Sequence, residues 1–446
     1  MISQKKHIYI PIELKNRELD SQVILAAEAC SRGFRVYIGS HAAIYNALST
    51  KKQRSGIYLE KGTQIETLTK WIRTKCQFIF ILDQELNPST EITDPERDRN
   101  LVDTRFYPGT KDLVDGFFCV GPVIFDSAQQ FFQNSVKIYG TGWPRIDLQT
   151  KYASVIYSKQ IADLSRKHGD YLLFVSDFGI LTPLSEVKNS ERVNALLEIS
   201  PEDFWDRSFR DFGETIQILR SWDNNPEIPK IIVRPHIVED IRIWKEMLRG
   251  LSKTEVIHDG DITPWISASK GVIHRGSTVS IQAKLMGKMV YYIEEASTSH
   301  NRLLVKKISD FIVSETSPPL PELLELRENS SAARTLSDVI YSSNESASKK
   351  IIDILIEQDT ILEYPLSLSG VLLNYLKIKA IRRFFGLVRD ELAYFIKPNA
   401  PMPQSKNLPN GIRKKDLEVA INAEPYFAPI AIRRIGINLW ELESTK

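Results

Sequence analysis

Residues Ile231–Asp240 read IIVRPHIVED, and Val272–Ile293 read VIHRGSTVSIQAKLMGKMVYYI. Each is a short β-branched run that stops at a polar knot and turns helical. Pro235 has no N–H to give a ladder, so the first strand ends there and leaves His236 at a sheet edge. Arg234 offers a planar fork suited to a carboxylate or phosphate, and His236 is able to donate to a phosphate oxygen or act as an acid near neutral pH. In the second knot Gly276 permits close backbone approach. Ser277 and Thr278 stand at a helix start, where hydroxyls, free N–H groups and the helix dipole favour an anion. An ordinary Ser/Thr cap explains one hydroxyl, but not His274, Arg275 and Gly276 in front of it. Both knots are expected to face one crevice and to hold an anionic ligand.

Outward from these knots the pattern repeats. HIYIPI (His7–Ile12) reads as a buried strand. It is followed by helical spacing through Leu19, Val23, Ala26, Ala27 and Cys30, closed by Gly33. FRVYIG, a helix near His41–Ser49, a strand at Gly56–Leu59, a helix at Gln64–Thr74, CQFIFILDQE, GFFCVG and VKIYGTGWPRIDL continue the series. A second series opens at DYLLFVSDFG and runs to MVYYI. Strands alternating with helices of this length predict parallel sheets with helical crossovers. The fold class expected is α/β, with two facing doubly wound domains at 1–150 and 151–320 and a helical C-terminal extension at 321–446. Ligands in such sheets sit beyond the carboxyl ends of the strands.

Composition sets the bounds. The 446 residues are 42% hydrophobic and 26% charged, with a formal net charge of +2. No global field argues for nucleic acid. Three scattered cysteines lack metal-ligand spacing and suit a reducing compartment. The N-terminal apolar run is broken by Pro11 and Glu13, too short for a signal peptide, and no stretch approaches the roughly 20 apolar residues of a membrane span. A cytoplasmic location is expected. Residues 361–446 hold 13 Lys and Arg against 8 Asp and Glu. YLKIKAIRRFFGLVRDEL there mixes basic and apolar residues, readable as a packed helix with a solvated face or as a peripheral contact with the anionic inner leaflet.

Other candidates lie at strand ends. Asp83 and Glu85 follow FIFIL, placed for general-base or nucleophile work; a turn Asp or a helix-start Glu would read the same way. Glu13 and Arg17 follow the first strand, and Ser176 and Asp177 follow the first strand of the second series. Walker, GxGxxG, HExxH, CxxC and GxSxG motifs are absent, which disfavours P-loop, dinucleotide-redox, zinc-hydrolase and serine-hydrolase chemistry.

Taken in order, IYIPIELKNRELDSQVILAAEACSRGFRVYIG, LDQEL, GTGWPRIDL, VRPHIVED and ITPWISASKGVIHRGSTVSIQAKLMGKMVYYIE resemble the bacterial surface carbohydrate biosynthesis proteins. These are similar to GT-B glycosyltransferases that use CMP-activated acidic sugars such as Kdo. The resemblance covers about residues 7–300 and implies a metal-independent, cofactor-free transfer from a nucleotide sugar to a glycan acceptor. It implies donor binding by Arg234-Pro235-His236 and by Ser277-Thr278; the residues themselves add His274, Arg275 and Gly276, with Ser176 and Asp177 beside them. Asp83 or Glu85 would be the catalytic carboxylate, with Glu13 and Arg17 on the acceptor side. The chain has Pro-His where relatives often show His-Pro, and Asp-Gln-Glu-Leu where they often carry an acidic pair and Gly. Rival readings are a CDP-glycerol or CDP-ribitol polyol-phosphate transferase of the teichoic acid type, a UDP-sugar 2-epimerase, and a non-catalytic scaffold of an assembly complex.

Overall fold

The computed structural model describes residues 3–84, 102–179, 201–236, 239–294, 303–319, 336–337, 339–341, 345–377, 408, 411–423, 427 and 429–445. They divide into two compact units, one built from the residues up to Ile156 together with those from 339 onward, the other from Tyr157 to Ser337.

The first unit carries an eight-stranded sheet. Strands β1 (His7–Ile12), β2 (Arg35–Ser40), β3 (Ile57–Glu60), β4 (Phe78–Leu82), β5 (Gly116–Cys119) and β6 (Lys137–Gly140) are parallel, in the order β2-β1-β3-β4-β5-β6. All six residues of β1 are buried, as an internal strand covered on both faces requires. The helix Lys15–Ser31 returns the chain over the sheet through Leu19, Val23, Ala26, Ala27 and Cys30. It stops where Gly33 takes a φ of +89°, a conformation that costs glycine little.

The second unit carries six parallel strands: β7 (Tyr171–Val175), β8 (Lys230–Arg234), β9 (Thr254–Val256), β10 (Gly271–His274), β11 (Met289–Ile293) and β12 (Phe311–Val313). Their order, β12-β11-β10-β7-β8-β9, is the doubly wound Rossmann arrangement, with its switch point between β7 and β10. The pleat sorts β7 between two cores. Leu172 and Phe174 join Ile231, Val233, Trp244 and Tyr291. Tyr171, Leu173 and Val175 join Ile232, Trp265 and Val290 on the other face.

The chain beyond 320 supplies more than helices. Alongside Ala347–Ile356, Leu368–Lys377 and Lys414–Ile421 it forms β13 (Ile430–Gly436) and β14 (Leu439–Ser444), an antiparallel hairpin whose second strand pairs with β2. This segment therefore belongs to the first unit. The expected long basic helix to Phe395 lies outside the described residues after Lys377. Among the described residues no helix is long and apolar enough to cross a membrane.

Docking of the returning chain explains the glycines around GTGWP. A Cβ on Gly121 would lie 1.7 Å from the Val339 carbonyl, and one on Gly142, where φ is +86°, 2.7 Å from that of Tyr341. Asp147 then caps the next helix: its carboxylate accepts from the amides of Ala347 and Ser348 and the hydroxyls of Ser346 and Ser348, at 2.8–2.9 Å. Asp147→Ala strands these buried donors, and a loss of about 2 kcal/mol in urea unfolding is expected. A loss below about 0.5 kcal/mol would mean that the cap contributes little.

Candidate functional site

In the first unit the switch point lies between β1 and β3. The ladder from β1 to β2 runs through Ile12 and Ser40, whereas that to β3 ends at Tyr9 and Tyr58. Pro11 brings no N–H to the gap. A small recess opens there, lined by Pro11, Glu13, Glu18, Gln22, His41, Leu59, Glu60, Lys61, Leu82 and Gln84.

Its charges are closely matched. Lys61 Nζ donates to Glu13 Oε2 at 2.6 Å and to Glu18 Oε1 at 3.1 Å. The second Glu18 oxygen accepts from the amides of Glu13 (2.8 Å) and Leu14 (3.2 Å), which fixes the turn after β1. Burial disfavours the Glu13 carboxylate, but Lys61 outweighs it and holds the group below its usual range. His41 begins the helix after β2 and is hydrogen-bonded through Nε2 to Glu60. Glu60 is clamped further by Tyr58 Oη and by Gln64 Nε2 at 2.7 Å. Burial works against a charged His41 ring, yet the bond to Glu60 and the charges of Glu60, Glu13 and Glu18 prevail and raise its pKa. Gln22, 4% exposed, brings a buried amide oxygen with no hydrogen-bond partner among the described residues.

Of the residues expected here, Glu13 lines the recess. Arg17 is next to it, donating to the Gln84 carbonyl at 3.4 Å while its own carbonyl accepts from Arg145. Asp83 is a correction. The alternation of β4 sends Leu82 and Gln84 to the recess and Asp83 to the other side, where it is fully buried and paired with Arg105 Nε at 2.9 Å. An inward ion pair is not placed for a substrate. Glu85 lies outside the described residues. His41, Glu60, Lys61 and Gln22 carried no motif. The signal that could have found His41 and Glu60 is their place at the carboxyl ends of β2 and β3, the same edge as Glu13.

In the second unit the register carries Val175, Arg234 and His274 side by side to the ends of β7, β8 and β10. Several expected ligands turn inward there. His274 is fully buried with Nε2 3.0 Å from Ser309 Oγ. The Arg275 guanidinium, also fully buried, donates to the Asp211 carbonyl (2.8 Å), Thr215 Oγ1 (2.9 Å) and Glu214 Oε2 (2.7 Å). Arg234 donates to the carbonyls of Asp259 and Gly260 (2.6 and 3.0 Å) and lies over the Trp265 ring; burial brings its pKa down to about 10. Ser176 donates to Glu239, which also accepts from Trp244 Nε1 at 2.6 Å. These groups build the loops.

The expected residues with surface at this edge are Asp177, His236 and Thr278, beside the buried Gly276 and Ser277. Ser277 Oγ accepts from the amide of Val279, the first residue of the following helix, at 3.3 Å. His258 joins them: burial, then the charges of Arg234 and His236, lower its pKa. It sits just past β9 and carried no motif. Among the described residues no group of three or more His, Cys, Asp or Glu is arranged to hold a metal ion.

No family model and no curated protein sequence matches the chain. Solved structures that it resembles include the UDP-GlcNAc 2-epimerase of Methanocaldococcus jannaschii in complex with UDP-GlcNAc and UDP, at 10% identity over 79% of this chain and 100% of that one, with a TM-score of 0.46. Others are S. aureus MnaA with UDP (12%, 79% and 96%, 0.44) and the wall teichoic acid polymerase TagF (9%, 79% and 89%, 0.43). At these values the reading of the site rests on the chain's own residues.

Two outcomes check the geometry. Arg275→Ala leaves Asp211 and Glu214 without their cation and is expected to cost about 3 kcal/mol or more in denaturant unfolding; a fully stable variant would mean that the guanidinium is available to a ligand. Burial, against hydrogen bonds from Ser176 and Trp244, pushes Glu239 from 4.5 up to about 7. A raised folded-state pKa gives stability that is complete below 4.5 and lost as pH climbs through about 7. At about 1.4 kcal/mol per unit the whole effect is about 3 kcal/mol. Thermal melts of Glu239→Gln should show a flatter pH dependence than the native chain between these values; parallel curves would refute it.

Proposed function

We propose that the chain is a GT-B-type glycosyltransferase of surface polysaccharide biosynthesis, which takes a sugar from a nucleotide-activated donor and passes it to a glycan acceptor. The observation that carries this reading is the strand order of the second unit. A doubly wound sheet in that order presents its ligands at the switch point, here the ends of β7 and β10. Asp177, Gly276, Ser277 and Thr278 stand there, with His236 and His258 past the neighbouring β8 and β9. In this reading His236 and the Ser277–Thr278 turn hold the nucleotide phosphate, and preset donors stabilise the charge that grows on it as the sugar leaves. His274, Arg275 and Arg234 keep the loops in shape. The recess of the first unit, with Glu13 at its rim, receives the acceptor. A CMP-activated acidic sugar such as CMP-Kdo is the donor the sequence resemblance favours, with no metal or further cofactor in the design.

Thermal melts with CMP-Kdo, CDP-glycerol and UDP-GlcNAc, each in large excess, test the reading. One donor should raise the melting temperature of the native chain by several degrees, and His236→Ala should abolish most of that rise. A melt insensitive to all three would sink the donor assignment. Stabilisation by CDP-glycerol alone would move the reaction to polyol-phosphate transfer, and by UDP-GlcNAc alone towards epimerisation.

A further inference from the structure

We infer that His41, oriented by Glu60, is the proton acceptor of the first-unit recess and that the recess takes a hydroxyl group of a sugar or polyol. The inference rests on the transferase reading and gives one of its sites a chemistry. Three observations support it.

First, Glu60 is fully committed. One oxygen accepts from Gln64 and meets His41 Nε2, and the other accepts from Tyr58. A carboxylate held by three groups cannot swing to a substrate; it fixes a ring and its tautomer, as the third member of a catalytic triad does. Second, the ring it fixes lies at the recess with its side chain 24% exposed, and Nδ1 has no hydrogen-bond partner among the described residues. Third, Gln22 lines the same recess, and its buried amide oxygen has no hydrogen-bond partner among the described residues. A buried acceptor with nothing to accept is costly, and an incoming hydroxyl supplies the missing donor. The bound hydroxyl needs a partner for its own proton at the moment of reaction, and His41 Nδ1 is placed for that.

The step balances as follows. The acceptor O–H gives its proton to Nδ1 while Nε2–H stays on Glu60. The oxygen forms a bond to the anomeric carbon of the donor, and the carbon–oxygen bond to the nucleotide phosphate breaks, its electron pair leaving with the phosphate. The titratable groups around His41 are Glu60 and Lys61 at the end of β3, Glu13 and Glu18 with Arg17 nearby after β1, and the neutral phenols of Tyr45 and Tyr58. Carboxylates outnumber cations here, which favours the imidazolium formed in the step. Lys61 is already shared between Glu13 and Glu18 and is not placed to protonate the acceptor in competition.

The test uses full-length protein with CMP-Kdo, CDP-glycerol and UDP-GlcNAc as donor probes, water or glycerol as acceptor probe, and nucleotide release as the readout. His41→Gln should keep nucleotide affinity within about twofold and lose turnover by about 10² or more. Glu60→Gln should lose about tenfold. It should also move the acidic limb of kcat/KM to lower pH, because the ring loses the bond that raises its pKa while burial still lowers it. If His41→Gln does not fold, His41→Asn takes its place. Native affinity with undiminished release in the His41 variant, or an unshifted acidic limb in Glu60→Gln, overturns the role of His41 alone. A native chain that neither binds nor turns over any of the three donors overturns the transferase reading, and the role of His41 with it.

Discussion

Two sheets built mainly of parallel strands, the first with the antiparallel β14 added beside β2, constrain everything else in this protein. A strand such as YLLFV, buried at all five positions, has no room for a polar side chain along its length. Polar groups are driven to its ends. Because β1 to β6 run parallel in one unit and β7 to β12 in the other, the carboxyl ends of each set fall on one edge, and the strand order reverses at a single place. The ionisable residues that could do chemistry are therefore gathered by the same burial that stabilises the fold.

The first unit pairs this sheet with an ionic anchor. Arg35 is almost wholly buried between Glu443 (2.8 Å) and the ring of His7 (3.3 Å), tying β14 to β2. Burial, then the charges of Arg35 and Lys51, drive the pKa of His7 down to about 2. The ring is thus neutral, accepts from Arg35, and forms no ion pair with Glu363 despite a 3.5 Å approach. Lys51, instead, pairs with Glu363 at 3.0 Å. The hairpin β13–β14 and the described residues around Glu363 are thereby tied to the first unit's sheet, and breaking either buried pair would leave an uncompensated charge inside it.

Within the edge, pleat alternation decides which polar residue sees a ligand space. Gln84 lines the recess and Asp83 does not; one residue of offset separates the two. His274 and Arg275 likewise leave β10 in different directions, one to Ser309 and the other to Asp211 and Glu214. Both are captured. Arg275 has the charge and the position of a phosphate ligand, yet the helix Pro201–Asp223 satisfies it first. Glu239, which reads as a helix-start acid, becomes the buried partner of Ser176.

The sequence by itself determined the α/β class and the alternation of strands and helices, because periodicity and helix stops are local properties of the chain. The positions of Glu13 and His236 just past the ends of β1 and β8 were legible in this way. The hairpin β13–β14 alternates Ile430, Ile432 and Leu439, Glu441 visibly enough, but its partner strand β2 is about four hundred residues earlier. His41 and Glu60 became a pair only when β2 and β3 were set on either side of β1. Tertiary structure alone decided which polar ends were consumed by neighbours and which were left facing open space, since that depends on contacts between residues far apart in the chain.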